Sequence, residues 1–355
     1  MRPRRLLIVD ASTVIRQRLT AAFAAAPVVD VVGSAASGRS ALMKLPLLRP
    51  DVVALDADLP AGDSLETLAA IRLACPRLPV VLLSSSAPRA AASTVDALSQ
   101  GANHYVMKPE AVVPSDEAIG QLCGDLLAWI DECCPDPSGA RPATVAHPNA
   151  SVAVDARIDV VAIGISTGGP GALMELMPVF DADFPVPILI VQHMPPMFTK
   201  LLGERLTSRA RIAVAEGAAS RPVEPGHAWI APGGFHMGVV RRGGGVELTT
   251  NQAPPENSCR PSVDVLFRSV AEVYGRHALA IVMTGMGQDG LLGCQRVHAA
   301  GGHVFAQDEP SSVVWGMPGV VARAGLADQI LPLHALGAAI VERVYRHRHG
   351  ACVTA

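Results

Sequence analysis

The feature that most constrains this chain is a rhythm. Short apolar runs of strand length alternate with helix-length amphipathic segments from one end to the other, with one interruption. RLLIVD, DVVALD, LPVVLLSSS and NHYVMKP read as strands between residues 4 and 134, separated by the helical patterns TVIRQRLTAAFAAA, GRSALMKLPLL, SLETLAAIRLAC and AASTVDALSQ. Strand and helix in alternation require crossover connections, hence parallel sheets covered by helices on both faces. The interruption, PDPSGARPATVAHPNAS at 135–151, carries four prolines and no apolar periodicity, and reads as a linker. Beyond it the rhythm resumes with DVVAIGI, VPILIVQHM, HAWIAP, ALAIVMTG and HVFAQ. Two α/β domains are expected, at 1–134 and 152–355, since 355 residues exceed one ordinary core.

Composition narrows the class. Half the residues are hydrophobic, enough to bury two parallel sheets, and only 4% are aromatic. A net charge of −3 and so few aromatic side chains argue against a nucleic-acid partner. The apolar run after MRPRR is too short for a signal peptide and no run approaches a membrane span, so no membrane insertion is expected. The seven cysteines lack metal-ligand spacing and read as reduced thiols in the cytoplasm. A monomer is expected.

In the first domain Asp10 and Asp56 end strands, Ser84 follows VVLL and Lys108 sits in VMKP. Open α/β sheets bind ligands at that edge, and two carboxylates, a hydroxyl and an ammonium suit Mg²⁺ and a phosphoryl group. In this arrangement residues 4 to about 130 resemble a response-regulator receiver domain of flavodoxin-like fold. The resemblance implies that Asp56 accepts a phosphoryl group, that Ser84, Tyr105 and Lys108 form the switch, and that Asp10, Asp56 and the backbone carbonyl of Asp58 hold Mg²⁺. The family carries a second acidic residue after Asp10, where this chain has Ala11. Because Mg²⁺ is held by only one or two carboxylates plus water and phosphate oxygens, weakened Mg²⁺ binding and slow or conditional phosphorylation of Asp56 are expected.

In the second domain AIGISTGGP (162–170) enters a glycine-rich turn. It matches neither G-x-G-x-x-G nor G-x-x-x-x-G-K-[ST], which counts against a phosphate cradle. Gly164 and Gly168 bracket Ser166 in the sense of G-x-S-x-G, a strand-to-helix turn that exposes a nucleophile. A serine needs a base and an orienting acid. His193 follows ILIVQ and Asp289 follows IVMTGMGQ, so all three lie at or just past the C-terminal ends of apolar strands, on one edge of one sheet.

AIGISTGGPGAL, VQHM, RPSVDVLFRS, MTGMGQDG and AQDEPSSVVWGMPG together resemble, in order and over nearly all of 158–335, the chemotaxis protein-glutamate methylesterase family. Receiver followed by methylesterase domain, doubly wound and mostly parallel, is that family's architecture. The resemblance implies Ser166 as nucleophile, His193 as base, Asp289 as orienting acid, and the backbone amides of Thr167 and Met286 as oxyanion donors. It implies γ-glutamyl methyl esters and glutamines of methyl-accepting chemoreceptors as substrates, a chemotaxis histidine kinase as partner, and a receiver that restrains the active site until phosphorylated. The ester step calls for no cofactor, and activity is expected to fall at acidic pH as His193 protonates. The rival readings are a non-catalytic receiver-linked signalling scaffold that retains the fold, and a nucleotide-binding protein.

Overall fold

The computed structural model describes residues 2–25, 28–109, 114–133 and 156–348. The expected linker at 135–151 lies outside the described residues. The chain divides into two compact units, Met1–Pro142 and Ala143–Ala355.

The first unit is built on β1 (Arg4–Val9), β2 (Val29–Ala35), β3 (Val52–Asp56), β4 (Val80–Ser84) and β5 (His104–Met107), in the parallel order β2-β1-β3-β4-β5. Each crossover is a helix: α1 (Thr13–Ala24), α2 (Gly38–Leu48), α3 (Asp63–Ala74), α4 (Pro88–Ser99) and, closing the unit, α5 (Asp116–Cys133). β3 and β4 are buried throughout because both faces are covered. One of those faces packs Leu6, Ile8 and Val81 against Leu19 and Phe23 of α1 and Leu122, Leu126 and Trp129 of α5. β2 escapes the alternation signal because VDVVGSA lies at the sheet edge, where Asp30 and Ser34 break the apolar run. α5 was also not anticipated, although its buried Ile119, Leu122, Leu126 and Trp129 repeat at helical spacing.

The second unit holds a seven-stranded parallel sheet. Its strands are β6 (Val160–Ile165), β7 (Ile188–Gln192), β8 (Ala213–Glu216), β9 (His227–Ile230), β12 (Ala278–Val282), β13 (His303–Gln307) and β14 (Gln329–Leu331). The order β14-β13-β12-β6-β7-β9-β8 places β6 at the centre, between β12 and β7. Strands run outward from β6 in both directions, so the crevice at its C-terminal end is a topological switch point. An antiparallel hairpin, β10 (His236–Arg242) and β11 (Gly245–Asn251), stands apart from the sheet. The helices are α6 (Gly169–Leu176), α7 (Phe198–Thr207), α8 (Val263–Tyr274), α9 (Leu291–Ala299), α10 (Met317–Arg323) and α11 (Leu333–Tyr345). β6, β7, β12 and β13 are fully buried. The strands missing from the sequence reading are the edge strands β8 and β14 and the hairpin, whose Gly243-Gly244 turn is the signal overlooked. No helix among the described residues is long and apolar enough to cross a membrane.

Candidate active site

Ser166 stands one residue past β6, in the turn that starts α6. Its amide donates to Thr284 O at 3.0 Å, and its carbonyl accepts from Gly169 N at 2.8 Å and from Gln192 Nε2 at 3.0 Å. Gly168 adopts φ +79° at the helix start, a conformation that a side chain would strain. Gly285 crosses so close that a methyl group on it would lie 2.4 Å from Met317 Sδ and 2.8 Å from Ser166 Cβ. Glycine is therefore required where the loop after β12 passes the nucleophile candidate. Thr284 locks both loops: its hydroxyl donates to Thr167 O at 2.9 Å and accepts from Val314 N at 3.1 Å. The Thr167 and Met286 amides donate to no other group among the described residues; Thr167 is buried and Met286 exposed.

His193 follows β7 directly, its amide donating to Ile165 O at 3.2 Å. Nε2 meets Asp289 Oδ2 at 2.8 Å. That carboxylate also accepts from Val263 N at 2.7 Å, Asp264 N at 3.1 Å, Ser262 Oγ at 2.8 Å, Asn257 Nδ2 at 3.0 Å and Gly290 N at 3.1 Å. Two of these donors are first-turn amides of α8, so the buried carboxylate sits where helix geometry favours an anion. Burial alone would raise the Asp289 pKa, but His193 and the backbone donors outweigh it and hold the carboxyl well below its usual range. A carboxylate crowded with donors has only acceptor capacity to offer, which makes Nε2 of His193 the protonated nitrogen.

The other ring nitrogen, Nδ1, faces Cys259 Sγ at 3.6 Å. Burial would lower the imidazole pKa, but the hydrogen bonds to Asp289 and Cys259, with the charges of both partners, lift it from 6.5 to about 9. The Ser166 hydroxyl has no hydrogen-bond partner among the described residues. His193 and Asp289 are thus in contact, while Ser166 is joined to them through backbone and through Gln192, whose amide spans the carbonyls of Ser166 and His193 at 3.0 and 3.4 Å.

Four contributors had escaped the sequence reading. Gln192 is buried, and its Oε1 has no partner among the described residues. Asn257, Ser262 and Cys259 belong to the loop before α8, and the nearby RPSVD run was the available signal. His236 is also buried and accepts from Ser262 N at 3.2 Å through Nδ1.

In the first unit Lys108 Nζ donates to Asp56 Oδ1 at 2.7 Å and to Asp10 Oδ2 at 3.2 Å, bringing three of the expected residues together. Asp10 is fully buried; that burial, then the Asp56 charge, raises its pKa despite Lys108. Ser84 Oγ pairs with Thr94 Oγ1 at 2.7 Å, and Tyr105 is half-buried, its phenol pKa pushed up by burial. The Asp58 side chain is exposed and lies 3.7 Å from Arg89, while its amide donates to Asp56 Oδ1 at 3.0 Å. Ala11 adds no oxygen ligand beyond its carbonyl, and that carbonyl accepts from Arg16 at 3.0 Å. Two hard carboxylates beside Lys108 are oxygen donors of the kind Mg²⁺ takes.

The family profile described as CheB methylesterase matches residues 161–340, and that of the response regulator receiver domain matches 6–115. A protein-glutamate methylesterase/protein-glutamine glutaminase of Trichodesmium erythraeum is 46% identical over 347 residues, covering 96% of this chain and 99% of its own. One of the same name from a Nocardioides species is 42% identical, covering 97% of this chain and 96% of its own. The crystal structure of the Thermotoga maritima CheB methylesterase catalytic domain superposes with TM-score 0.52 at 40% identity, covering 53% of this chain and 99% of that one.

Proposed function

The chain belongs to the CheB methylesterase family, as a receiver-linked enzyme of chemotaxis, and we propose that it demethylates chemoreceptor glutamate methyl esters through Ser166, with His193 as base and Asp289 as its orienting acid. The observation that carries this reading is the His193–Asp289 contact of 2.8 Å, at the same sheet edge as the Ser166 turn. Asp289 holds the Nε2 proton, which leaves Nδ1 to accept the proton of Ser166 as its oxygen attacks the ester carbonyl. The amides of Thr167 and Met286 receive the developing oxyanion, each such donor being worth on the order of 10²–10³ in rate. Nδ1 returns the proton to departing methanol, and water then releases the glutamate by the reverse steps. A glutamine side chain follows the same route with ammonia leaving. The chemistry balances on side chains and backbone amides, without a cofactor.

The receiver would be phosphorylated at Asp56 by a chemotaxis histidine kinase. Mg²⁺, held by Asp10, Asp56 and the Asp58 carbonyl, would neutralise phosphoryl charge there. Lys108 sits ready to pair with the phosphoryl oxygens, and Ser84 and Tyr105 carry the switch. Domain boundaries at 134 and 152, action as a monomer in the cytoplasm, and restraint of the esterase by the receiver complete the reading. A scaffold that had lost turnover would have no need to retain, behind a histidine, a carboxylate with five further donors.

The decisive measurement is methanol release from methylated receptor. Ser166→Ala is expected to lower it by roughly 10⁶, the cost of losing the nucleophile in comparable triads. Retention of most of the activity would remove Ser166 from the mechanism.

A further inference from the structure

We propose that Cys259 is a second nucleophile served by the same histidine, a site at which small soft electrophiles form a thioether and close the esterase centre. The proposal rests on the reading of His193 as base.

Its first support is the order of atoms. Cys259 Sγ lies 3.6 Å from His193 Nδ1, and Nε2 on the far side of the ring lies 2.8 Å from Asp289 Oδ2. Thiol, imidazole and carboxylate in that sequence are what activates a cysteine nucleophile. Ser166, by contrast, makes no direct hydrogen bond to the ring.

The second support is how firmly the thiol is held. Asn257 and Ser258 have φ of 51° and 61°, and Glu256 and Cys259 exchange backbone hydrogen bonds at 3.1 and 2.8 Å. This is the pattern of a two-residue primed turn, a tight and well-determined loop. Arg268 clamps the Glu256 carboxylate with two hydrogen bonds at 2.8 and 2.6 Å. On the other side the Asn257 amide donates to Asp264 at 2.9 Å and to Asp289 at 3.0 Å. The turn is thus pinned to the acid of the relay and presents its sulfur to the base.

Third, the thiol is reachable. Cys259 is half-buried, while the His193 side chain behind it is 12% exposed. Cys294 and Cys123 are buried instead, and burial raises both their pKa values, that of Cys123 to about 11. Cys75 is exposed and serves as the internal reference.

In the reaction, the Cys259 proton passes to His193 Nδ1 and the sulfur attacks the electrophilic carbon. With iodoacetamide the S–C bond forms, the C–I bond breaks, and iodide leaves with the electron pair. The added group then stands in front of Nδ1, which can no longer take the Ser166 proton.

The test treats the full-length protein with iodoacetamide at about pH 8 to 9, where neutral His193 is populated. Carbamidomethylation of the Cys259 and Cys75 peptides is followed by mass spectrometry, with methanol release measured on the same samples. Cys259 is expected to react roughly tenfold or more faster than Cys75, and methanol release to fall in step with it. In His193→Gln the Cys259 rate is expected to drop to that of Cys75 or below. Labelling of Cys259 no faster than Cys75 in the unsubstituted protein overturns the proposal, as does labelling that leaves methanol release intact. Ser166→Ala separates the two readings. Slow Cys259 labelling with an inactive Ser166→Ala protein sinks the thiol proposal alone. Fast labelling with an active Ser166→Ala protein sinks the serine mechanism alone.

Discussion

At the scale of single residues, the site is a contest over one nitrogen. In the proposed mechanism His193 must be neutral at Nδ1, yet Asp289 and Cys259 together lift its pKa to about 9. A base with a raised pKa gains competence as pH rises, so kcat/KM for methanol release is expected to climb through roughly pH 7 to 9. The sequence alone implied only a fall at acidic pH; the two partners of the ring move that limb into the alkaline range. Cys259→Ala removes two of the influences that raise the pKa and is expected to shift the limb to lower pH, which a pH–rate profile of both proteins reads directly. An unmoved limb would mean that Cys259 does not tune the base. Gln192 offers a separate check. Gln192→Glu replaces a donor with a carboxylate opposite two carbonyls, and the misplacement of Ser166 and His193 is expected to lower kcat by about 10² with KM little changed. Equal losses in kcat and in substrate binding would argue instead for general damage.

Among the elements, the loops after β6 and β12 are shaped by what they cannot carry. A side chain at Gly285 would collide with both Met317 and Ser166. Gly285→Ala is expected to cost about 1–3 kcal/mol of stability through overpacking. It should also depress turnover by displacing Ser166, as chemical denaturation and methanol release together would show. Element type and order were legible wherever a strand is covered on both faces, as in β3, β4, β6, β7 and β12, because burial there forces a continuous apolar run. Legibility failed at three of the four edges, β5 being the one that was read. β2, β8 and β14 have a neighbour on one side only, tolerate polar residues, and lose the pattern. The β10–β11 hairpin lies outside the main sheet's rhythm altogether.

For the molecule as a whole, the open question of control is concentrated at Ala11. Asp10, Asp56 and Lys108 converge as a receiver requires, while Ala11 brings no carboxylate and Asp58 points its own to Arg89. Ala11→Asp in the full-length chain is expected to tighten Mg²⁺ binding and to speed labelling of Asp56 by a small phosphodonor such as acetyl phosphate. Asp56→Asn in the same background should abolish that labelling. Rapid, tightly Mg²⁺-dependent labelling of the unsubstituted chain would show that two carboxylates suffice.

The sequence by itself determined two parallel α/β units and placed Ser166, His193 and Asp289 at strand ends, because parallel strands must be apolar and their C-terminal ends share an edge. It also showed the missing carboxylate at Ala11. Only the tertiary structure decided which nitrogen of His193 meets Asp289, and that α8, Asn257 and Ser262 surround that carboxylate with donors. It alone brought Cys259, sixty-six positions from His193, to the other side of the ring. Periodicity along a chain reports burial and direction, whereas a ring nitrogen's partner depends on loops that return from distant sequence.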